Sequence, residues 1–174
     1  MVLNHVNLNK LKDLIEEIKK DPANGKIVPK ITGEWIFEEG QPQFRSELQA
    51  EGGSFTVEAD MPPKLGGWGS RPGPLQWCLY GLASCYCFTF AALAAMDGIV
   101  LNRLSIEAQS HVDFSKVFGL SENPIVEEVS FIVTVTSDTD SEKLEKIREL
   151  ADDRCPAVYC LTKPVKLTTE LLKT

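Results

Sequence analysis

The chain has 174 residues, of which 25 are acidic and 18 are basic, giving a formal net charge of −7. This acidic balance, without a basic run, argues against nucleic acid or an anionic membrane surface as the main partner. The length and the 43% hydrophobic content suit one globular domain with its own core.

The cysteines and the first residues set the expected compartment. Five cysteines is an odd number, and the chain is too long for a small disulfide scaffold, so reduced thiols in the cytoplasm are expected. Residues 1–9 lack a basic region followed by an apolar core, so no secretory signal is expected. His5 and His111 lie far apart in the sequence, and no second cysteine pair accompanies Cys85-Tyr86-Cys87. No metal and no cofactor are therefore expected.

The first predicted element is an amphipathic helix over residues 8–20, which the DPANG segment ends. We predict that residues 1–25 form an accessory N-terminal helix and that residues 26–174 form the single domain. The apolar stripe of the helix consists of Leu8, Leu11, Leu14, Ile15 and Ile18.

Residues 26–60 predict a β meander. Strand-like runs at 27–28 and 31–37 precede alternating apolar and polar residues at 44–48 and 55–59. The following MPPKLGGWGSRPGP segment is too rich in proline and glycine for regular structure. Loops of this length within a compact domain often line a site.

Residues 74–97 predict one long helix, with Pro74 in its first turn and Gly98 at its end. A membrane span needs about 20 apolar residues, but polar side chains interrupt this stretch and no basic flank orients it. A helix that is apolar on all sides is preferably interpreted as a buried core helix. Because one domain of this size can hardly enclose it, we predict a homodimer that buries this helix.

The remainder of the chain predicts strands at 100–112 and 126–136, a charged helix at 141–152 with Asp and Ser caps, and a short turn or helix to residue 161. Residues 165–171 suggest a closing strand. Strands and helices in this order predict the α+β class.

Three cysteines lie in the long helix, but they are not equivalent. Cys78 and Cys85 are two turns apart and share a face with Leu82 and Thr89, whereas Cys87 points to roughly the opposite side. Free cysteines in such positions are usually small buried hydrophobic residues.

A second cysteine region, DDRCPAVYC, follows about seventy residues later. Cys155 directly precedes Pro156 at a predicted helix start, where backbone N–H groups favour a thiolate. A cysteine within a buried helix combined with a later Cys-Pro pair is a more specific pattern than either feature alone. Cys160 is close enough in sequence to Cys155 to compete as a redox partner.

These residues resemble the OsmC and organic hydroperoxide resistance (Ohr) superfamily over nearly the whole chain. LYGLASCYCFTFAALA looks like the family's helix with the reactive cysteine, the glycine pair of PPKLGGWGSRPGP matches the loop before it, and Arg154-Cys155-Pro156 matches the second-cysteine motif. The resemblance implies an OsmC-like fold with an N-terminal meander, a long central helix, further antiparallel strands and helices, and an intertwined homodimer with active sites at the subunit interface.

The resemblance implies a thiol peroxidase in which Cys85 attacks an organic hydroperoxide. Cys155 then resolves the sulfenic acid as a disulfide, which an external dithiol reduces. An alternative is a relative without peroxidase activity that binds a small apolar or thiol-reactive ligand in the same interface pocket. We expect this pocket to be lined by Leu75, Cys78, Leu82 and Thr89.

The chain departs from its relatives where the long helix begins. Peroxidase members carry Asn-Pro-Glu there, and the glutamate positions an arginine over the thiol, but this chain reads Gly73-Pro74-Leu75. Burial raises the pKa of a thiol, so a nearby cation is needed to keep the thiolate. The cysteine pair favours the peroxidase, and the missing glutamate favours the ligand-binding relative. The candidate cations, each of which could instead be a surface charge, are Lys64, Arg71 and Arg45.

Overall fold

A computed structural model, which describes residues 1–173, confirms the α+β class. The chain divides into two compact units: a first unit of residues 1–8 and residues from 81 onward, and a second unit of residues 9–80. The elements in chain order are β1 (Val2–Leu3), β2 (Val6–Asn7), α1 (Leu8–Lys20), β3 (Gly33–Trp35), β4 (Phe44–Ala50), β5 (Gly53–Ala59), α2 (Pro74–Met96), β6 (Arg103–Val112), β7 (Val126–Thr136), α3 (Ser141–Arg154) and α4 (Pro156–Thr162).

The second unit contains the predicted meander as an antiparallel sheet in the order β3-β4-β5. Residues 26–32 form no strand, so the strand expected at 27–28 is wrong and the strand expected at 31–37 shrinks to three residues. The paired residues Arg45 and Glu58 share one face of the sheet, while the neighbouring pair Phe44 and Ala59 points to the other. One face of this sheet is therefore charged and the other is apolar.

The long helix α2 ends one residue before the predicted boundary. Gly98 adopts a positive φ of 73°, and its N–H binds the carbonyl of Ala95 at 3.2 Å while the N–H of Ile99 binds the carbonyl of Ala94 at 2.8 Å. These two bonds form a Schellman motif, in which the left-handed residue is usually glycine. The sequence signal at Gly98 therefore has a direct structural cause.

Helix α2 is long and apolar enough to cross a membrane by length and composition, but the core helix of a soluble protein meets the same criterion. Its C-terminal half carries the fully buried side chains, whereas Tyr80, Phe88 and Met96 are more than half exposed in the single chain. The homodimer predicted to cover such side chains stays a prediction.

The core of the first unit packs α2 against α3 and the β6-β7 sheet. Asp140 caps α3 by accepting a 2.7 Å hydrogen bond from the N–H of Glu142, which confirms the predicted aspartate cap. Helix α3 ends at Arg154 and is followed by Cys155, whose N–H still binds the carbonyl of Ala151 at 2.9 Å, and Pro156 begins α4. The central cluster consists of Tyr86, Phe90, Ala94, Ile99, Ile147, Ala151 and Cys155.

The N-terminal hairpin β1-β2 was not predicted. Its turn places Asn4 and His5 at positive φ, and the Asn4 amide donates to the carbonyl of Ile99 and accepts from the N–H of Leu101, both at 2.9 Å. One asparagine side chain thus ties the N-terminus to the segment that follows α2. Strands of two residues are too short to give a periodic signal, which is why the pattern missed them.

The predicted closing strand at 165–171 is wrong. Residues 164–173 have no regular secondary structure, and Val165, Leu167 and Leu171 are largely exposed. A strand needs a partner for its backbone hydrogen bonds. Within residues 1–173 the β6-β7 sheet has no third strand, so this segment has the composition of a strand without its ladder.

Candidate active site

The fold brings Cys85 and Cys155 together from positions 70 residues apart. Cys85 lies in the middle of α2, and Cys155 lies at the junction between α3 and α4. The Cys155 thiol is placed to donate to Cys85 Sγ, with 3.7 Å between the two sulfur atoms. Both thiols are free, since a disulfide would place the sulfur atoms about 2.05 Å apart. The two sulfur atoms are thus in contact and need only a local movement to bond.

The two thiols differ in exposure. Cys155 is completely buried in the core cluster, whereas Cys85 is half-buried at its edge. A molecule arriving from solvent therefore meets Cys85 first.

The surroundings of Cys85 favour the protonated thiol. Burial raises its pKa above the ordinary value, the backbone N–H of Ala157 lowers it in part, and Cys155 and Cys160 raise it further. These influences all come from the first unit, and none of them is a cation. Burial also raises the pKa of Cys87. Helix α4 thus supplies a single N–H donor where an activated thiol needs positive charge.

A hydrogen-bonded chain runs directly behind the cysteine pair. Tyr86, which follows Cys85, is 2% exposed and donates its phenol O–H to Asp152 Oδ1 at 2.7 Å. Asp152 also forms an ion pair with Arg148, whose Nε donates to Glu145 at 2.7 Å. Burial and the Asp152 hydrogen bond raise the pKa of Tyr86 far above its ordinary value, so the phenol stays protonated and remains a donor.

The first unit contains a cavity of about 650 Å³ beside the hydrogen-bonded side chains of Tyr86, Asp152 and Arg148. Tyr86, Phe131, Val158 and the exposed Cys160 are among its lining residues, and Cys85 is not. The cavity is therefore reached from the Tyr86 side of α2 rather than from Cys85.

The four residues expected to line a pocket with Cys85 occupy different settings on α2. Leu82 and Thr89 are half-buried in the first unit, and the Thr89 hydroxyl donates to the carbonyl of Cys85 at 3.0 Å. Leu75 and Cys78 belong to the second unit and are exposed in the single chain. None of the four lines the 650 Å³ cavity, so their pocket role stays a prediction.

Two of the three candidate cations bind the same carboxylate in the second unit. Glu58 accepts from Arg45 Nε at 2.9 Å and from Arg71 Nε at 2.7 Å. The hydrogen bonds from Arg71 and then Arg45 hold the pKa of Glu58 below its ordinary value. Lys64 lies in a 3₁₀ turn that spans Pro63–Leu65. A role for any of these cations at Cys85 stays a prediction.

The proline- and glycine-rich loop is held by Asp60, a residue that the sequence reasoning did not single out. Asp60 is 1% exposed and accepts from the backbone N–H and the hydroxyl of Ser70, at 2.9 and 2.8 Å, and from the N–H of Trp68 at 3.3 Å. Burial alone would raise its pKa, but these bonds outweigh burial and hold the pKa below the ordinary value. An aspartate between a strand and an irregular loop is a signal that could have identified it.

Within residues 1–173, no three His, Cys, Asp or Glu side chains lie close enough together to hold a metal ion. The arrangement that remains is a thiol pair with a polar support behind it. Such a pair can exchange two electrons by forming and breaking one disulfide.

Comparison with known proteins identifies a matching protein family. The chain matches the family described as OsmC-like protein over residues 67–170, a range that includes both Cys85 and Cys155. None of the curated proteins matches the chain.

Several solved structures share the fold. An OsmC-like protein from Mycoplasma pneumoniae is 20% identical, with a TM-score of 0.55, covering 78% of this chain and 89% of that one. An organic hydroperoxide resistance protein from Legionella pneumophila is 16% identical, with a TM-score of 0.55 and coverages of 79% and 92%. The organic hydroperoxide resistance protein OhrB of Bacillus subtilis is 17% identical, with a TM-score of 0.52 and coverages of 78% and 93%. Because the family match extends over more than half of the sequence and the fold agrees, the chain belongs to the OsmC-like protein family.

Proposed function

We propose that this chain is a thiol peroxidase that reduces organic hydroperoxides, with Cys85 as the attacking and Cys155 as the resolving cysteine. The observation that carries the proposal is the 3.7 Å contact between two free thiols, of which only Cys85 is partly exposed. The hydroperoxide resistance proteins of similar fold support the same substrate class.

The proposed cycle has three steps. The Cys85 thiolate attacks the terminal hydroperoxide oxygen, the O–O bond breaks, and the alkoxide leaves as the alcohol after taking a proton, so that Cys85 becomes a sulfenic acid. Cys155 attacks the sulfenic sulfur and expels water, which forms the Cys85–Cys155 disulfide. An external dithiol then reduces this disulfide by exchange and is itself oxidised to a disulfide.

The raised pKa of Cys85 sets the expected pace of this cycle. A thiol with a pKa above about 8.5 is less than about one-tenth thiolate at pH 7.5. Leu75 stands where peroxidase relatives carry the glutamate that orients an arginine. We therefore expect measurable but slow turnover.

The test is consumption of cumene hydroperoxide in the presence of dithiothreitol. Wild type should consume the hydroperoxide, and Cys85→Ser should abolish consumption because the attacking sulfur is gone. Cys87→Ser is the matched control, since this thiol is also half-buried on α2 and lies two residues away; it should retain activity. Equal rates for Cys85→Ser and wild type would contradict the proposal.

The second candidate is a non-peroxidase relative that binds a small apolar or thiol-reactive ligand. Leu75 and the raised pKa of Cys85 favour it. A wild type that consumes no hydroperoxide, while Cys85 still reacts with a thiol-reactive probe, would support this candidate over the peroxidase.

We also propose that the chain acts as a homodimer in the reducing cytoplasm. The exposed apolar side chains of α2 and the five free thiols support this setting. Light scattering at micromolar concentration should give twice the chain mass, and a folded monomer would contradict it.

A further inference from the structure

We infer that Tyr86 and Asp152 are positioning residues, whose hydrogen bond holds Cys155 in register with Cys85. This inference rests on the proposed function, because it concerns formation of the Cys85–Cys155 disulfide. It assigns a role to a buried phenol that the peroxidase chemistry itself does not use.

The hydrogen bond between Tyr86 and Asp152 lies close to both cysteines in the sequence. Tyr86 is the residue next to Cys85 on α2, and Asp152 lies three residues before Cys155 in the last turn of α3. The 2.7 Å bond between them therefore joins the two helices at the level of the two sulfur atoms.

This hydrogen bond also differs in kind from the apolar contacts between α2 and α3. The other buried residues that hold α3 on α2, such as Phe90, Ile147 and Ala151, are apolar. Apolar contacts are non-directional and allow helices to slide or rotate by small amounts. A hydrogen bond weakens steeply with distance and angle, so it fixes both the height and the rotation of α3.

The acceptor itself is held in place. Asp152 and Arg148 are four residues apart on α3, and Arg148 and Glu145 are three apart, so the three side chains lie on one face of the helix. The Arg148 ion pair engages Oδ2 of Asp152 and leaves Oδ1 for the Tyr86 phenol. The Tyr86 ring is fixed on its other side by an edge contact with Phe131, at 5.4 Å between ring centroids.

Loss of this bond should lower the effective concentration of one thiol toward the other. The sulfur atoms are 3.7 Å apart when reduced, and disulfide geometry tolerates little displacement of the two backbones. If α3 can shift on α2, a smaller fraction of the reduced protein holds the two sulfur atoms in contact, and the Cys85–Cys155 disulfide forms less readily.

The test measures the equilibrium constant for disulfide formation in glutathione buffers, by counting alkylated thiols with mass spectrometry. Tyr86→Phe retains the ring and removes only the hydroxyl, so we expect about a tenfold lower constant, in line with hydrogen bonds to charged groups. Tyr80→Phe removes an exposed phenol from the same helix and should leave the constant unchanged.

Two variants at Asp152 separate positioning from general stability. Asp152→Asn keeps an acceptor oxygen for the phenol, so its equilibrium constant for disulfide formation should stay close to that of wild type. Asp152→Ala removes the acceptor and should lower the constant as much as Tyr86→Phe does. Because the Asp152 side chain is 46% exposed and lies outside the apolar core cluster, both variants should fold even if Tyr86→Phe does not.

A lower thermal midpoint for Tyr86→Phe or Asp152→Ala with an unchanged equilibrium constant would overturn the inference. Absence of a Cys85–Cys155 disulfide in wild type would instead overturn the proposed function, and this inference with it.

Discussion

The chain contains a carboxylate cluster around Glu58 and Asp60 and a thiol cluster around Cys85, and the two have opposite effects on the charged form of their groups. Around Glu58 and Asp60 in the second unit, both carboxylates accept hydrogen bonds from cations or backbone N–H groups, and the pKa of each is lowered. Around Cys85 in the first unit, the thiol lies against apolar side chains and its pKa is raised. The first cluster stabilises charge, whereas the second suppresses it.

This difference indicates whether each cluster contributes to the stability of the fold or to chemical reactivity. A buried carboxylate with several donors holds a loop in place, because removing it leaves those donors unsatisfied. A thiol with one N–H donor and a sulfur neighbour contributes little to folding but remains able to change its bonding. We therefore assign loop architecture to the carboxylate cluster, and the thiol cluster is the place of the proposed redox chemistry.

Breaking the carboxylate cluster should give the largest effect on folding. Asp60→Asn replaces one of the two carboxylate oxygens by an NH₂ group, so the bonds from either Ser70 or Trp68 lose their acceptor. We expect the folding equilibrium constant to fall by roughly tenfold or more at pH 7, measured by urea unfolding. Asp113→Asn is the matched control, because Asp113 accepts similar bonds from Ser115 but is only half-buried, so its loss should be smaller.

The pH dependence of this effect has a definite sign. Because the pKa of Asp60 is lowered in the folded chain, its contribution is present above the unfolded value of about 3.9 and is lost as pH falls through the folded value. The difference between wild type and Asp60→Asn should shrink at acid pH. A difference that stays constant down to pH 2 would contradict this account of the loop.

A smaller effect is expected for the pH dependence of Cys85 alkylation. Because burial raises the pKa of Cys85, its reaction with iodoacetamide should still accelerate above pH 8.5 in the folded chain. The same residue in urea-unfolded protein is the control and should level off at lower pH. A folded rate that levels off below pH 8 would show that an unidentified cation activates the thiol.

The sequence predicted the elements whose signals are local. Helix α1 and strand β7 match their predicted ranges, because periodic apolar residues and β-branched runs determine them directly. The strand predicted at 165–171 is wrong because a strand depends on a distant partner. Residues 165–171 have a composition that is typical of a strand, but composition alone does not provide the partner strand.

The candidate site was predicted only in part, for the same reason. Cys85 and Cys155 were identified through family resemblance, and the structure brings their sulfur atoms into contact. Tyr86 and Glu58 gave no comparable signal, because their partners lie 13 to 66 residues away. Their roles depend on tertiary contacts that a single sequence does not reveal.

The most direct test of the central claim is to identify the disulfide that forms after one equivalent of cumene hydroperoxide. Free thiols are alkylated at once, and the protein is digested with chymotrypsin, which cleaves after aromatic residues. Cleavage after Tyr80, Tyr86, Phe131 and Tyr159 separates all five cysteines, so each bridge gives a distinct peptide pair. We predict a bridge between Cys85 and Cys155 in most molecules. A bridge that involves Cys78, Cys87 or Cys160 while Cys85 is recovered as an alkylated thiol would contradict the account.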